Sequence, residues 1–303
     1  MSEKYETIVP SEPDAGERLQ WVSWLRSAAP YVHLHHGRTF VISFAGEVVA
    51  DRTLLNHLVM DVSLIASMGM RVVLVHGSRP QIEELMGLRK LEGQFYKGVR
   101  ITGPQELECV KEACGETRFD IEAAFSQGLP NTPMQHSRIK VVSGNFVTAR
   151  PMGIIDGVDY LHTGVVRKVD AESIQDLLSR GNIVLVSPTG FSPTGEAFNL
   201  TTEDVATAIA VAIHADKLIL SVGVNGVRVR GEKQQDLMAQ QAQALIQSKQ
   251  VDDEDVYNIG YALRAIKGGV DRVHIVPYAM DGGILTELFT HDGVGTMIST
   301  ENM

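Results

Sequence analysis

The sequence predicts an α/β protein with an open three-layer α/β/α fold and a mainly parallel central sheet. Four short runs, VVLV at 72–75, IVLV at 183–186, KLIL at 217–220 and VHIV at 273–276, are almost wholly apolar. Strands that are buried on both faces of a parallel sheet have this composition. Segments with helical periodicity separate the runs, as the crossover connections of a parallel sheet require.

The N-terminal region predicts a leader followed by a helix. Residues 1–15 are acidic and contain prolines, so we expect a disordered leader. We expect the N-terminal helix over 16–36, with Trp21 and Trp24 on one face and with Pro30 ending its regular part. Two interpretations of the tryptophans stay open: the helix packs on its own domain, or it docks onto a partner.

The next elements alternate between strand and helix. TFVISF at 39–44 predicts the first strand, a helix follows over 52–69, and RVVLVHG at 71–77 predicts the second strand. A further helix begins at Pro80, a residue that suits the first helical turn. This alternation continues the βαβ pattern of a parallel sheet.

The second half of the chain continues the pattern after a β-rich interruption. Residues 138–169 contain short β-rich pieces joined by Ser-Gly-Asn and Asp-Gly turns, which predict a β-hairpin lid over the carboxyl ends of the main strands. Asp170 is the predicted N-cap of the next helix, and threonines at 201–202 suit the start of another. A glutamine-rich, then acidic stretch at 233–256 predicts a solvated surface.

Charge and composition narrow the classes of partner. The formal charge of −10 at pH 7 argues against nucleic acid and against an anionic membrane, because both would repel the chain. No apolar stretch has the length of a membrane span, and we expect a cytoplasmic protein. The two cysteines, Cys109 and Cys114, are interpreted as reduced structural thiols. Small molecules and other protein chains remain as partners.

Four glycine-containing loops follow predicted strands: FAGE at 44–47, HGSRP at 76–80, SPTGFSPTGE at 187–196 and SVGVNGV at 221–227. Ligands of open α/β sheets bind at this end of the strands. Gly77 and Arg79 precede a helix and could hold an anion, Arg100 could clamp a carboxylate, and Asn199 could donate to an acyl or carboxylate oxygen. Each arginine could equally form a surface ion pair, and Asn199 could simply turn the chain. The histidines of 33–36 lack accompanying carboxylates or cysteines, so we predict no metal site.

The order of the motifs resembles the amino-acid kinase family. It is most similar to acetylglutamate kinases and to the kinase-like domains of bacterial N-acetylglutamate synthases, from about Leu19 to Ser299. The motifs that carry the resemblance are FAGE, VVLVHGSRPQIEEL, KGVRIT, VVSGNF, FNLTTEDVA, GGVDRVHIV and GGILTELFTHDGVGTMI. The resemblance implies an amino-acid-kinase fold over 37–303, with an N-lobe at about 37–190 on the acyl-amino-acid side. The C-lobe, at about 191–303, would form the nucleotide-like and arginine side.

The departures from the kinase pattern predict that phosphoryl transfer is lost. By this resemblance, the phosphate-binding lysine falls on Ser43, two catalytic aspartates fall on Glu203 and Gly223, and the second lysine falls near Asn258. Because phosphoryl transfer depends on positioning and on neutralising phosphate charge, we expect no catalytic residue here. A functioning acetylglutamate kinase with rearranged groups, and a structural pseudokinase scaffold, are the alternatives.

The resemblance to the synthases implies regulation by L-arginine rather than catalysis. In that group acetyl-CoA and glutamate react on a separate acetyltransferase domain, which we expect to be absent from this chain, so no cofactor is predicted. The N-terminal helix would link subunits into a homo-oligomer, a hexameric ring. N-Acetylglutamate or glutamate would bind at Gly77, Arg79, Arg100 and Asn199. The matching positions of the arginine site are Tyr31, Lys217, His274, Glu287, Gly293 and Gly295.

Overall fold

A computed structural model describes residues 15–127, 139–224 and 226–300. The predicted leader lies outside these residues except for its last position, Ala15, which begins the first helix. The helices are α1 Ala15–His35, α2 Gly46–Ala50, α3 Arg52–Ser67, α4 Arg79–Leu88, α5 Pro104–Ser126, α6 Ala171–Ser179, α7 Thr202–Ala212, α8 Ala239–Gln247, α9 Asp253–Lys267 and α10 Gly283–Phe289. Among the described helices, none is both long and apolar enough to cross a bilayer.

The strands of the first half are β1 Thr39–Phe44, β2 Arg71–His76, β3 Gln94–Tyr96, β4 Val99–Ile101, β5 Val141–Ser143, β6 Val147–Pro151, β7 Ile154–Ile155, β8 Val158–Asp159 and β9 Gly164–Val169. Those of the second half are β10 Ile183–Val186, β11 Thr189–Phe191, β12 Ala197–Asn199, β13 Lys217–Val222, β14 Arg228–Val229, β15 Glu232–Lys233, β16 Asp236–Met238, β17 Arg272–Pro277 and β18 Thr296–Ser299. Most of them are short.

The central sheet has eight strands in the order β16-β18-β17-β13-β1-β2-β10-β5. All of its pairings are parallel except the antiparallel pairing of β17 with β18, so β16 and β18 run against the other six strands. The strand β1 therefore lies inside the sheet, between β13 and β2. The predicted mainly parallel sheet is confirmed.

Apolar side chains cover both faces of this sheet. On β1, Val41 belongs to one core with residues of α6, α7 and α9, whereas Phe40, Ile42 and Phe44 belong to a second core with residues of α1, α3, α5 and α10. The alternation follows from the two-residue period of a strand. Burial on both faces explains the apolar runs in the sequence and confirms the three-layer α/β/α architecture.

The predicted β-hairpin lid over 138–169 divides between two sheets: β5 joins the central sheet, whereas β6 and β9 pair in a second sheet. The second sheet has the order β12-β11-β6-β9, and the small hairpin β7-β8 lies between β6 and β9 in the chain. The segment contributes only Thr163 to the cavity described below, whereas the hairpin β3-β4 contributes Phe95, Lys97 and Arg100 among others. The hairpin at the cavity is therefore β3-β4, which the sequence analysis did not identify.

Pro30 does not end the first helix, because α1 continues through it to His35. Proline inside a helix removes one backbone hydrogen bond and usually costs about 3 kcal/mol. The residues beyond it offset this cost: Tyr31 and Val32 pack on the second core, and His35 is buried with its Nε2 atom 3.0 Å from the carbonyl oxygen of Leu288. The last turn thus anchors α1 on α10.

Three smaller predictions concern two helix starts and the cysteines. Asp170 caps α6 by accepting hydrogen bonds from the backbone N–H and the hydroxyl of Ser173. Thr201 stands at the start of α7 but does not cap it with its side chain; its hydroxyl lies 3.2 Å from that of Tyr261. Cys109 and Cys114 are both buried and unpaired with each other.

Candidate functional site

A cavity of about 860 Å³ opens at the carboxyl ends of β1, β2 and β13. Each of the four glycine-containing loops contributes to its lining, represented by Gly46, Gly77, Pro188 and Gly223. A Cβ atom added to Gly77 would lie 2.8 Å from the backbone nitrogen of Gly46, so the first two loops approach each other backbone to backbone. The loops that follow separate strands in the sequence therefore enclose one space.

The four predicted acyl-amino-acid residues Gly77, Arg79, Arg100 and Asn199 all line this cavity. Asn199 is buried, and its Nδ2 atom donates to the hydroxyl of Thr102 at 3.0 Å. Thr102 in turn lies 2.8 Å from the hydroxyl of Thr163, which donates to the backbone carbonyl of Arg100. This hydrogen-bond network fixes one wall of the cavity.

Arg79 and Arg100 differ in exposure and in partners. The side chain of Arg79 is 70% exposed, whereas that of Arg100 is only 7% exposed and forms an ion pair with Glu83 of α4. The ring of Phe95 lies between them, with its centroid 5.3 Å from the guanidinium carbon of Arg79 and 4.6 Å from that of Arg100. Both arginines were predicted from the sequence, but Glu83 was not; its spacing of four residues from Arg79 on a helix was the available signal.

The positions matched to the lost kinase groups do not all reach the cavity. Glu203, Gly223 and Asn258 line it, whereas Ser43 is buried in β1 and does not. Asn258 is buried, and its Nδ2 atom has no hydrogen-bond partner among the described residues. Three of the four matched positions are therefore at the cavity, and Ser43 is not.

Charged residues are unevenly distributed around the cavity. Four acids line it from α2, α7 and α9: Glu47, Glu203, Asp253 and Glu254. The lining cations among the described residues come from α4 and the β3-β4 hairpin: Arg79, Lys97 and Arg100. Burial raises the pKa of Glu203, whose carboxylate accepts from the hydroxyl of Tyr257 at 3.2 Å. The half of the cavity beside α7 and α9 is therefore acidic.

A second polar group lies where the sheet meets α10: Lys217 of β13, His274 of β17 and Glu287 of α10 form a chain of hydrogen bonds. The Nζ atom of Lys217 is 3.0 Å from Nε2 of His274, and Nδ1 of His274 is 2.7 Å from Oε1 of Glu287. All three side chains are buried or nearly so: Lys217 is 7% exposed, His274 3%, and the Glu287 side chain 6%. We call these three residues the buried array.

Protonation states within the buried array follow from its geometry. Burial lowers the pKa of Lys217 to about 8, so its ammonium group is charged at pH 7 and can only donate. Burial, and next the charge of Lys217, lower the pKa of His274 to about 4. His274 is therefore neutral, with Nε2 accepting from Lys217 and Nδ1–H donating to Glu287.

Glu287 is held as an anion. Burial raises its pKa, but hydrogen bonds from His274 and from the backbone amides of Gly295 and Val294 outweigh burial and bring the pKa down to about 2. The two amides lie 2.8 and 2.7 Å from Oε2. A Cβ atom on Gly293, which has φ +54°, would lie 2.6 Å from the same oxygen. The glycine loop thus closes directly over the carboxylate.

The helix α1 borders the buried array. His35 contacts α10, which carries Glu287, and burial followed by the charge of Lys217 lowers the pKa of His35 to about 4. Tyr31 is half-buried and packs on the same apolar core as Leu288 and Phe289. Five of the six residues matched to an arginine site therefore lie in or around the array, and Tyr31 lies on the neighbouring helix. His35, for which only the absence of a metal site was predicted from the sequence, was not assigned to this region.

Comparisons with known proteins agree on the family. The model of the amino acid kinase family matches residues 38–276. An amino-acid acetyltransferase of Ralstonia nicotianae is 54% identical over 95% of this chain, and one of Pseudomonas fluorescens is 47% identical over 93%. The chain spans 64% and 65% of the lengths of these two relatives.

Solved structures show the same relationship. N-Acetylglutamate synthase from Neisseria gonorrhoeae, complexed with coenzyme A and N-acetylglutamate, superposes with a TM-score of 0.85 at 35% identity, covering 93% of this chain and 64% of that one. The same enzyme complexed with coenzyme A and L-arginine gives the same score and identity, covering 93% of this chain and 66% of that one. The match over residues 38–276 decides the assignment: this chain belongs to the amino-acid kinase family.

Proposed function

We propose that this chain is the L-arginine-binding, kinase-like domain of an N-acetylglutamate synthase-type protein of arginine biosynthesis. The similarity to amino-acid acetyltransferases and to an N-acetylglutamate synthase complexed with L-arginine supports this proposal. Because the chain spans less than two-thirds of those relatives, we assign acetyl transfer to no residue of this chain. Accordingly, acetyl-CoA is proposed as a substrate outside this domain and not as its ligand.

The observation that carries the proposal is the buried anion of Glu287. A guanidinium group pairs best with a carboxylate that stays ionised and is shielded from water. Of about four lone-pair positions on the Glu287 carboxylate, three accept hydrogen bonds from His274, Val294 and Gly295. An arginine side chain would take the fourth position and replace His274, with the carbonyl oxygens of the glycine loop accepting its remaining donors.

Lys217 and Tyr31 complete the proposed arginine site. Once His274 turns away from Glu287, the ammonium group of Lys217 loses its present acceptor and is available for the α-carboxylate of the amino acid. Tyr31 would cover the ligand from α1. This arrangement uses Gly293 and Gly295 as positions where a side chain would collide with Glu287 or with the backbone.

We further propose that the domain does not transfer phosphate. A nucleoside triphosphate needs cations around its phosphates. The half of the cavity beside α7 and α9 instead presents four acidic residues, Glu47, Glu203, Asp253 and Glu254. Ser43, at the position matched to the phosphate-binding lysine, is buried in β1 and does not line the cavity. Ionised acids on this side of the cavity would repel the phosphates of a nucleotide even before catalysis is considered.

Arginine would act on the assembly of subunits. Trp21 and Trp24 are 61% and 53% exposed on α1, an unusual exposure for tryptophan in a single subunit. We propose that α1 exchanges contacts with a neighbouring subunit in a homo-oligomeric ring. Arginine bound between α1 and α10 would then favour one arrangement of that ring through its differential affinity for the two states.

Calorimetry with L-arginine tests the proposal, using wild type and Glu287→Gln. We expect saturable heat with wild type and at least about 30-fold weaker binding by the variant, because removing one partner of a buried charge pair typically costs at least about 2 kcal/mol. Glu116→Gln, which changes an exposed glutamate on α5, is the matched control and should bind as wild type does. Absence of arginine heat from folded wild type would refute the arginine site.

A separate measurement tests the absence of phosphoryl transfer. A ligand that binds only the folded protein raises its melting temperature, so ATP with Mg²⁺ should leave that temperature unchanged. ADP release that depends on N-acetylglutamate, and that Arg100→Ala abolishes, would instead establish a kinase.

A further inference from the structure

Arg100 is the most buried cation of the cavity lining, yet its charge is already engaged. One of its terminal nitrogens donates to Oε1 of Glu83, and the other lies 3.1 Å from the sulfur of Met86. Its guanidinium also stacks on Phe95 at 4.6 Å. A ligand carboxylate arriving in the cavity would therefore meet a guanidinium whose charge is already paired and whose two terminal nitrogens both have protein partners.

Glu83 reaches Arg100 from outside the cavity. Its side chain is 45% exposed on α4. Arg100 lines the cavity, whereas Glu83 does not. Arg79 adds a weaker contact, with its Nε atom 4.0 Å from the same carboxylate oxygen. Both guanidinium groups that border Phe95 are thus turned toward one carboxylate of the protein itself.

The backbone around Arg100 is shaped for this pairing. A Cβ atom at Gly93 would lie 2.9 Å from a terminal nitrogen of Arg100 and 3.3 Å from the Phe95 ring, so the guanidinium occupies space that a side chain would otherwise fill. The carbonyl of Arg100 is held by Thr163. The backbone of Arg100 is therefore anchored in the cavity wall, while its head group is free to exchange one carboxylate for another.

We propose that Glu83 is an internal competitor of acidic ligands: its carboxylate occupies Arg100 and sets a low affinity of the cavity for small dicarboxylates. A ligand of this class, such as glutarate, gains the Arg100 contact only by displacing Glu83 into solvent. Because Glu83 is half exposed, its displacement leaves no buried carboxylate behind. This inference concerns the cavity alone and does not depend on arginine binding at Glu287.

The test compares glutarate binding by calorimetry in wild type, Glu83→Gln and Glu84→Gln. Glu83→Gln removes the competing charge while keeping the side-chain shape, and it should bind glutarate at least tenfold more tightly than wild type. Glu84 is exposed and adjacent on the same helix, so Glu84→Gln should bind as wild type does. Glutaramide, which has the same length without charge, should gain nothing from either substitution.

Two further variants connect the effect to the ion pair. Glu83→Gln combined with Arg100→Gln removes both charges and should return glutarate binding to the wild-type level or below. Glu83→Asp keeps the charge balance but shortens the side chain by one methylene, and it should bind with intermediate affinity. This last variant decides the matter if Glu83→Gln does not fold.

Three results would overturn the proposal. The first is a folded Glu83→Gln protein whose affinity for glutarate equals that of wild type. The second is a gain that survives the added Arg100→Gln substitution, which would place the ligand elsewhere. The third is an unchanged affinity in Glu83→Asp when Glu83→Gln is unfolded. N-Acetyl-L-glutamate, which has the same five-carbon diacid chain with an added acetamido group, should bind these variants in the same order.

Discussion

Replacement of Glu287 by glutamine perturbs the buried array at its only anion. The Nδ1–H group of His274 points at Oε1 of Glu287, and Lys217 holds Nε2 as an acceptor. An amide in place of the carboxylate can still accept from the backbone amides of the glycine loop. Its NH₂ group would then face the N–H of His274, so that two donors oppose each other in a site without water access.

The pKa of Glu287 gives the expected size of the effect. The value falls from 4.5 to about 2 on folding, and one pKa unit corresponds to about 1.36 kcal/mol. Ionised Glu287 therefore contributes roughly 3 kcal/mol to the free energy of unfolding at pH 7. Because the folded pKa is depressed, this contribution is complete above the unfolded pKa of 4.5 and disappears as the pH falls through about 2.

Urea denaturation of wild type, Glu287→Gln and the control Glu116→Gln measures this contribution. At pH 7 we expect a loss of roughly 3 kcal/mol for Glu287→Gln and less than about 0.5 kcal/mol for the control. At pH 3 the difference between wild type and Glu287→Gln should shrink to about half, because part of the advantage of ionisation is gone. A loss below about 1 kcal/mol at pH 7, or a difference that does not change with pH, would refute the assignment of Glu287 as a hydrogen-bonded anion.

Three further predictions concern other parts of the molecule. Gly295→Ala would push a Cβ atom into a backbone carbonyl oxygen and should lower the free energy of unfolding by at least about 2 kcal/mol in urea denaturation. Gly260→Ala, inside α9 with open space around it, should be neutral or stabilising, and equal effects of the two substitutions would contradict this reasoning. Burial raises the pKa of Asp61 from 3.8 to about 7, so the free energy of unfolding falls as the pH rises between these values, by up to about 4 kcal/mol. Asp61→Asn should therefore raise the melting temperature more at pH 8 than at pH 4. The same shift at both pH values would be inconsistent with a buried, neutral carboxyl. Trp21→Ala with Trp24→Ala should reduce assembly size in light scattering and leave the melting temperature of the dissociated subunit nearly unchanged, and an unaltered assembly would remove α1 from the interface.

The sequence predicted strands correctly where an apolar run coincides with burial on both faces of the sheet. The apolar runs at β2, β10, β13 and β17 could be read directly, because strands covered on both faces need no polar alternation. The antiparallel direction of β18 could not be read in this way, since it is set by its pairing with β17 and not by its own residues. The same holds for the hairpin β3-β4, whose strands have only three residues each, too few to show a clear alternation of buried and exposed side chains.

Part of the candidate site could be predicted from the sequence, because loops at the carboxyl ends of parallel strands meet at the same edge of the sheet. Gly77, Arg100 and Asn199 were assigned to one cleft and do line one cavity. What the sequence did not contain was the environment of each side chain: Arg100 is paired with Glu83, and Ser43 is buried in β1 and does not line the cavity. Both facts depend on contacts between elements, so spacing along the chain carries no sign of them.

The positions of the two sites on one strand constrain how they could influence each other. Lys217, in the buried array, is the first residue of β13, and Val222, beside the cavity, is its last. Five residue-to-residue steps along the extended strand separate the two positions by roughly 17 Å. The strand between them is buried on both faces and paired in register with β1 and β17, and such an element offers no second arrangement that a ligand could favour. The helix α10, which carries Glu287, instead contacts α1, whose tryptophans are exposed. A ligand at Glu287 is therefore better placed to shift α1 than to alter the cavity.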